Sequence, residues 1–278
     1  MKNKGQTVGV ALAVLFAIGC LAPGAEPVTG DLRSAIEKGI TGGTQRFDHG
    51  LWDQILQKHV KENGRQFDYV GLKKEEDKLS LYLLELAEAE LSSLTKNELL
   101  ALFANAYNAY TVKTIVEHVL VDGTYAIGSI RDISNVFDRE RHIVGGFTLS
   151  LNNMEHNILR PLFKDPRLHF AVNCASASCP PIPHRAFEGD RVGEQLEEAA
   201  RHVLSSPDYV RVEDDDLEVS KLMDWYGTDF VNEDFFGAEK DLTTYIRKYA
   251  SPEVREWIDS QSSPNVRFMG YDWSLNRK

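Results

Sequence analysis

The chain has 278 residues, of which 42% are hydrophobic and 26% charged, enough apolar material for one large or two small globular domains. A formal net charge of −11 excludes broad electrostatic binding to nucleic acid or to an anionic membrane surface. The sequence holds no glycine-rich phosphate loop, internal repeat or low-complexity tract, so no cofactor is expected.

In chain order, Lys2 and Lys4 precede an uncharged run over 8–21, too short for a comfortable membrane span, and Ala22, Gly24 and Ala25 follow it. Residues 1–25 therefore read as a signal peptide and predict an exported protein, periplasmic or secreted. Cys20, behind Ala17-Ile18-Gly19, offers an alternative lipoprotein signal, the only route by which a membrane enters the expected partners. Residues 26–46 are rich in Gly, Pro, Thr and charge and read as a linker with one helical turn near Leu32; a single globular domain is expected over 47–278.

Apolar spacing predicts helices over 51–60 and 73–91, with an extended piece over 67–72 between them. Thr95-Lys96-Asn97-Glu98 is a capping-box pattern opening a long helix over 99–119, which stops at Asp122-Gly123. Residues 143–149 around Gly145-Gly146 predict a hairpin. A helix over 152–162 and an apolar strand over 167–173 follow. Next come a helix over 192–204 and a hairpin pairing 209–212 with 217–219 around the solvated turn Asp214-Asp215-Asp216. Helices over 241–249 and 252–258 and an extended piece over 266–273 complete the chain. This mixture has no βαβ rhythm and predicts an α+β class, a helix-rich single domain with short antiparallel strands and hairpins.

The chemistry concentrates in His169-Phe170-Ala171-Val172-Asn173-Cys174-Ala175-Ser176-Ala177-Ser178-Cys179-Pro180-Pro181. Cys174 and Cys179 are the thiols that remain when Cys20 is removed or lipidated, in a compartment that permits disulfides. Three readings follow. In the first, Cys174 is the nucleophile of a hydrolase or transferase acting on an amide or acyl bond of a small molecule or peptide. Backbone N–H groups of the small-residue loop would lower its pKa and receive an oxyanion. His156 is the preferred base and His169 the second choice, with Asn105 or Glu155 orienting the imidazole. Arg160 or Arg167 would hold a substrate carboxylate, and Asn108, His169 and Asn173 complete the candidate binding residues. In the second reading a Cys174–Cys179 disulfide staples a non-catalytic binding or interaction module. In the third, His169, Cys174, Cys179 and His184, spaced five apart, hold a metal. Asn105 and Asn108 share one face of an apolar helix, and their bland role is to hydrogen-bond the backbone of a neighbouring loop. Glu155 and Arg160 could likewise be buried partners that fix their helix.

Three ordered blocks, Phe-Ala-Asn-Ala-Tyr-Asn-Ala-Tyr at 103–110, Ser-Leu-Asn-Asn-Met-Glu-His-Asn-Ile-Leu-Arg at 150–160 and Asp-Pro-Arg-Leu-His-Phe-Ala-Val-Asn-Cys-Ala-Ser-Ala-Ser-Cys-Pro-Pro at 165–181, resemble the family catalogued as domain of unknown function 547. Tyr271-Asp272-Trp273-Ser274-Leu275-Asn276 resembles that family's C-terminal end. The resemblance spans roughly 47–276 and implies a domain found in exported bacterial proteins and in plant proteins. It puts Asn105, Asn108, Glu155, His156, Arg160, His169, Cys174 and Cys179 at characteristic positions, but implies no activity. The residue types also suit a distant papain-like relation, although His156 precedes Cys174, the reverse of the papain order. Ala175 stands where the family often has Gly, which bears on whether the chain turns with positive φ there.

Overall fold

The computed structural model describes residues 28–278, so the signal peptide and the lipid-attachment alternative at Cys20 lie outside the described residues. The first element is helix α1 (Gly30–Gly42), opened by Thr29, whose hydroxyl accepts the Leu32 N–H. Its composition reads as a linker, yet Leu32 and Ile36 are buried in the core. The glycines account for the difference. A Cβ on Gly39 would lie 2.5 Å from the Leu91 carbonyl oxygen, and one on Gly43 would lie 1.9 Å from that of Leu94. Absent side chains let this backbone lie directly on the 91–94 turn, where the Thr44 and Gln45 N–H groups donate to Ser93 O.

Helix α2 (Gly50–His59) leads into strand β1 (Val60–Lys61), which pairs antiparallel with β2 (Gln66–Phe67). The extended piece expected over 67–72 ends at Phe67. Asp68 accepts the Gly71 N–H and so caps helix α3 (Tyr69–Lys73). Helix α4 (Glu76–Ala87) follows, then α5 (Lys96–Val116). Thr95 caps α5 by accepting the Glu98 N–H, as the capping pattern predicts. The Glu98 carboxylate does not close the box and instead accepts the Phe47 N–H. Helix α5 is apolar around its circumference and buried on all sides over 98–112; it is the axis against which α1, α3, α4 and later helices pack.

Strands β3 (His142–Val144) and β4 (Phe147–Leu149) form the expected hairpin, with φ of +59° at Gly145 and +79° at Gly146. The helix expected over 152–162 is a π-helix (Asn153–Phe163), one wide i→i+5 turn after another, with Pro161 inside it. Where a strand is expected over 167–173, the chain instead forms a short 3₁₀ turn (Pro166–Phe170). Asp165 caps it through the Arg167 N–H, and Pro166 fixes its first φ. Arg167 and His169 alternate with apolar residues, which imitates a strand's period, but all five residues are buried, so the alternation marks no solvent face.

The remaining elements are α6 (Val192–Leu204), β5 (Val210–Glu213), β6 (Asp216–Val219), α7 (Leu222–Trp225), α8 (Gly227–Val231), α9 (Leu242–Tyr249), α10 (Pro252–Ser260) and β7 (Val266–Phe268). β5 and β6 pair antiparallel as predicted, and β7 joins β6 in parallel. The class is α+β, helix-rich, with short strands in small sheets. Among the described residues, no helix is long and apolar enough to cross a membrane.

Two apolar clusters result. One surrounds α5; the other gathers the back of α6, the β5–β6 hairpin and helices α8 to α10. The stretch 168–175 belongs to both, with Leu168, Ala171, Val172 and Ala175 in the first and Phe170 in the second. The thiols therefore sit at the seam of the two cores. Packing of α1 through its glycines is testable: Gly43→Ala should lower stability to chemical denaturation by about 1–3 kcal/mol, the range for a methyl forced into a packed site, whereas Gly42→Ala, which meets nothing within 4 Å, should not.

Candidate functional site

The thiol loop is held by side-chain amides. Asn108, buried on α5, donates to Ala171 O at 2.9 Å and accepts the Asn173 N–H at 2.8 Å. Asn173 donates to Pro180 O at 2.6 Å, closing the loop across its mouth, and accepts the Ala175 N–H at 2.8 Å. Ala175 takes a φ of +62°, so the positive-φ turn forms without glycine. It is stabilised from both sides, by Asn173 and by Asn276, whose N–H donates to Ala175 O. The C-terminal segment pairs with the loop: Ala177 and Ser178 N–H donate to Ser274 O and Asp272 O.

Within this frame the Sγ atoms of the half-buried Cys174 and the buried Cys179 lie 2.7 Å apart, both as free thiols. Sγ of Cys174 is also 3.3 Å from the Tyr271 hydroxyl and 3.4 Å from Ser176 Oγ. The Cys174 thiol is lowered to about 7, first by the hydrogen bond from Cys179, and against its burial by those from Ser176 and Tyr271. Burial and the neighbouring Cys174 sulfur push Cys179 the other way, well above the ordinary thiol range. One thiol is thus partly exposed and ionised near neutrality, and the other is buried and protonated.

Beside the loop lies a second group of buried polar residues. Asp229 accepts from Arg160 through two parallel bonds of 2.8 and 2.9 Å and from His169 Nε2 at 2.8 Å. Burial pushes the Asp229 carboxyl up, but the hydrogen bonds from His169 and Arg160 outweigh it and hold it at about 2. Burial lowers the His169 pKa despite Asp229, so a neutral imidazole donates Nε2–H to an ionised carboxylate. The His169 ring stacks on Tyr226 at 3.9 Å, and the Tyr226 hydroxyl bonds the buried Glu155. Burial opposes the charge on Glu155, yet the hydrogen bond from Tyr226 and the nearby Arg160 cation help keep its pKa below the ordinary value.

The structure redistributes the roles expected from the sequence. Asn105 does not orient an imidazole: its amide donates to Phe187 O at 2.8 Å and accepts the Phe187 N–H at 3.0 Å, the bland role for both α5 asparagines. His156 is not hydrogen-bonded to Cys174. Its Nδ1 faces Arg160 Nη1 at 3.0 Å and must accept, because a guanidinium only donates. Arg167 is bound to Asp165 through Nε and Nη2 and to Glu197 through Nη1, so it is a buried structural cation rather than a carboxylate receptor. Arg160 is committed to Asp229 in the same way. The oxyanion site is not preformed. The N–H groups of Asn173, Cys174, Ala175, Ala177, Ser178 and Cys179 are paired with Asn108, Cys179 Sγ, Asn173, Ser274, Asp272 and Ser176, and that of Ser176 bonds the Cys174 sulfur. His169, Cys174, Cys179 and His184 do not come together as ligands: His169 bonds Asp229, His184 is exposed, and among the described residues no three His, Cys, Asp or Glu side chains are grouped to hold a metal. A cavity of about 610 Å³, lined by Ser134, Asn135, Asp138 and Arg139, shares no residue with the thiol loop.

Sequence reasoning missed Tyr271, Tyr226 and Asp229. No spacing rule links them to Cys174, because they arrive from segments about 50 to 100 residues later in the chain. The one available signal was the C-terminal block at 271–276, whose place beside the loop is now evident.

Two outcomes follow. Alkylation of Cys174 by iodoacetamide should rise with pH around a midpoint near 7, and Cys179→Ala should move that midpoint upward by removing the main stabiliser of the thiolate. Asp229→Asn should cost about 3 kcal/mol, the low end for a broken buried pair because Arg160 keeps some solvent access. Since the Asp229 pKa lies below its ordinary 3.8, this stability is complete above that pH and disappears as pH falls through about 2. The variant's acid-unfolding curve should therefore be flatter there.

No curated protein and no solved structure matches the chain. The model of the family described as "Protein of unknown function, DUF547" matches residues 91–204. That stretch, which holds α5, the π-helix and both thiols, is the part of the chain over which the DUF547 resemblance is shown.

Proposed function

We propose that Cys174 and Cys179 form a redox-active pair that exchanges disulfides with an exported partner, Cys174 attacking and Cys179 resolving. The observation that carries this reading is the asymmetry of the pair: a partly exposed thiol lowered to about 7 lies 2.7 Å from a buried, protonated one. A thiol with a pKa near ambient pH is the best attacking group for exchange. The Cys174 thiolate displaces R′–S⁻ from a disulfide R–S–S–R′ and forms a mixed disulfide with R–S. Cys179 gives up its proton to R′–S⁻ and then attacks Cys174 Sγ. The Cys174–Cys179 bond forms, R–S⁻ leaves, and the two electrons have passed to the partner. Export, expected from the N-terminal segment, puts the pair where disulfides persist.

Treatment of the reduced protein with oxidised glutathione tests this. The wild type should lose two hydrogens in mass and both free thiols without retaining glutathione; Cys179→Ser should retain one glutathione on Cys174. Failure of that variant to form the adduct overturns the reading. So does a wild-type disulfide that dithiothreitol reduces only after unfolding, which would make it a staple.

Acyl transfer to Cys174 remains a second reading, supported by one feature that exchange does not use, the buried Glu155–Tyr226 and His169–Asp229 pairs beside the loop. With p-nitrophenyl acetate it requires a burst of one nitrophenolate per protein that Cys174→Ser abolishes.

A further inference from the structure

Tyr271 contacts the reacting sulfur from outside the family-matched segment. Its hydroxyl is 3.3 Å from Cys174 Sγ, and it is hydrogen-bonded to the Cys179 sulfur as well. Ser176 Oγ approaches the Tyr271 oxygen at 2.9 Å, closer than its own 3.4 Å to Cys174 Sγ. A serine hydroxyl has one proton, and given to the Tyr271 oxygen it leaves the Tyr271 proton for sulfur. The ring cannot swing away easily. Trp225 and Trp273 each lie 4.7 Å from it between ring centroids, Arg131 sits 4.9 Å over Trp273, and the Asp272 N–H next to it donates to Ser178 Oγ at 2.8 Å.

We propose that Tyr271 is a catalytic residue of the exchange, a single hydrogen-bond donor that serves the two sulfurs in turn. The inference rests on the exchange reading. In the reduced protein Tyr271 donates to the Cys174 thiolate. When Cys174 enters the mixed disulfide its sulfur loses its charge and its need for a donor. The same hydroxyl then supports Cys179 as that thiol gives its proton to the departing R′–S⁻, and the Cys179 thiolate attacks Cys174 Sγ, releasing R–S⁻. Tyr271 keeps its own proton throughout, as burial and the two adjacent sulfurs dictate by pushing its pKa far up. Trp225 and Trp273 pack on the ring and hold the phenol against both sulfurs.

Tyr271→Phe removes the donor and keeps the ring. In the reduced full-length protein, the pH midpoint for Cys174 alkylation by iodoacetamide should rise by about one unit, the size expected for one hydrogen bond to a charged group. Resolution of the glutathione adduct, followed by mass at fixed pH, should slow by about tenfold. Ser176→Ala, which removes both the donor to the Tyr271 oxygen and Ser176's own contact with Cys174 Sγ, should shift the midpoint in the same direction, and it provides the test should Tyr271→Phe not fold. An unchanged midpoint in a folded Tyr271→Phe protein, or in Ser176→Ala if only that variant folds, overturns the assignment, because a structural role for the ring leaves the titration of Cys174 where it was. Failure of the exchange reading looks different: the wild type forms no Cys174–Cys179 disulfide with oxidised glutathione, while the Tyr271→Phe midpoint still moves. That result removes the resolving step and the role in turn with it.

Discussion

The Asn108 amide joins the buried central helix of the molecule to the thiol loop, donating to Ala171 O and accepting from Asn173 N–H. Helix α5 is largely apolar at its centre, and apolar packing alone fixes neither the height nor the rotation of what lies on it. A buried amide has a narrow range of satisfying geometries, and leaving it unpaired costs roughly 1–3 kcal/mol. Asn108 therefore sets the register of the thiol loop against α5, as Asn105 sets that of the Phe187 backbone one turn away. The next shell repeats the device: Asn173 ties Pro180 to the start of the loop, and Asn276, held by the Tyr69 hydroxyl, donates to Asn173. Four asparagine side chains thus do in side-chain hydrogen bonds what a sheet would do with backbone, at a place where two cores meet and no sheet reaches.

That scaffold accounts for the unequal thiols. The loop folds back so that the Cys174 N–H points at Cys179 Sγ at 2.9 Å and Sγ of Cys174 lies against the same atom. Tyr209 anchors the Cys179 carbonyl at 2.8 Å from the second core. Cys179 is therefore enclosed while Cys174 keeps one side open. Their environments differ through placement alone, since the two are chemically identical, and the difference is the one the proposed exchange asks of an attacking and a resolving thiol.

Much of this was legible in the sequence, unevenly. The capping residue Thr95, the Gly145-Gly146 hairpin and the 209–219 hairpin were readable because local hydrogen bonding and φ preferences decide them. The Cys174–Cys179 segment was readable as a loop, from small residues and prolines around two thiols. What failed did so for stated reasons. Glycines on α1 imitate a linker while serving as contact points. In the buried stretch 166–170, Arg167 and His169 alternate with apolar residues and so imitate a strand, but their polar groups are satisfied inside the protein and mark no solvent face. His156 and Arg160 stand four residues apart on one helix face, so they pair with each other instead of with the thiol. Tyr271 and Asp229 depend on tertiary folding that no short-range pattern encodes.

The polar network beside the thiols bears on which chemistry this arrangement favours. Glu155, Tyr226, His169, Asp229 and Arg160 satisfy one another, leaving a neutral imidazole pinned at Nε2 by an ionised carboxylate. A general base for an acyl transfer needs a lone pair within hydrogen-bond reach of the nucleophile; the partners of Cys174 Sγ are instead Cys179, Ser176 and Tyr271. A thiol already lowered to about 7 needs no base. What acyl transfer would still need is a receptor for the oxyanion, and the loop's N–H groups are committed to holding its shape. Disulfide exchange develops negative charge on sulfur alone, and sulfur is where the donors of this site converge. The network is then best understood as a charged keystone between the π-helix and α8. It fixes the face of Tyr226 and, through Glu155, keeps the helix behind the thiols from shifting.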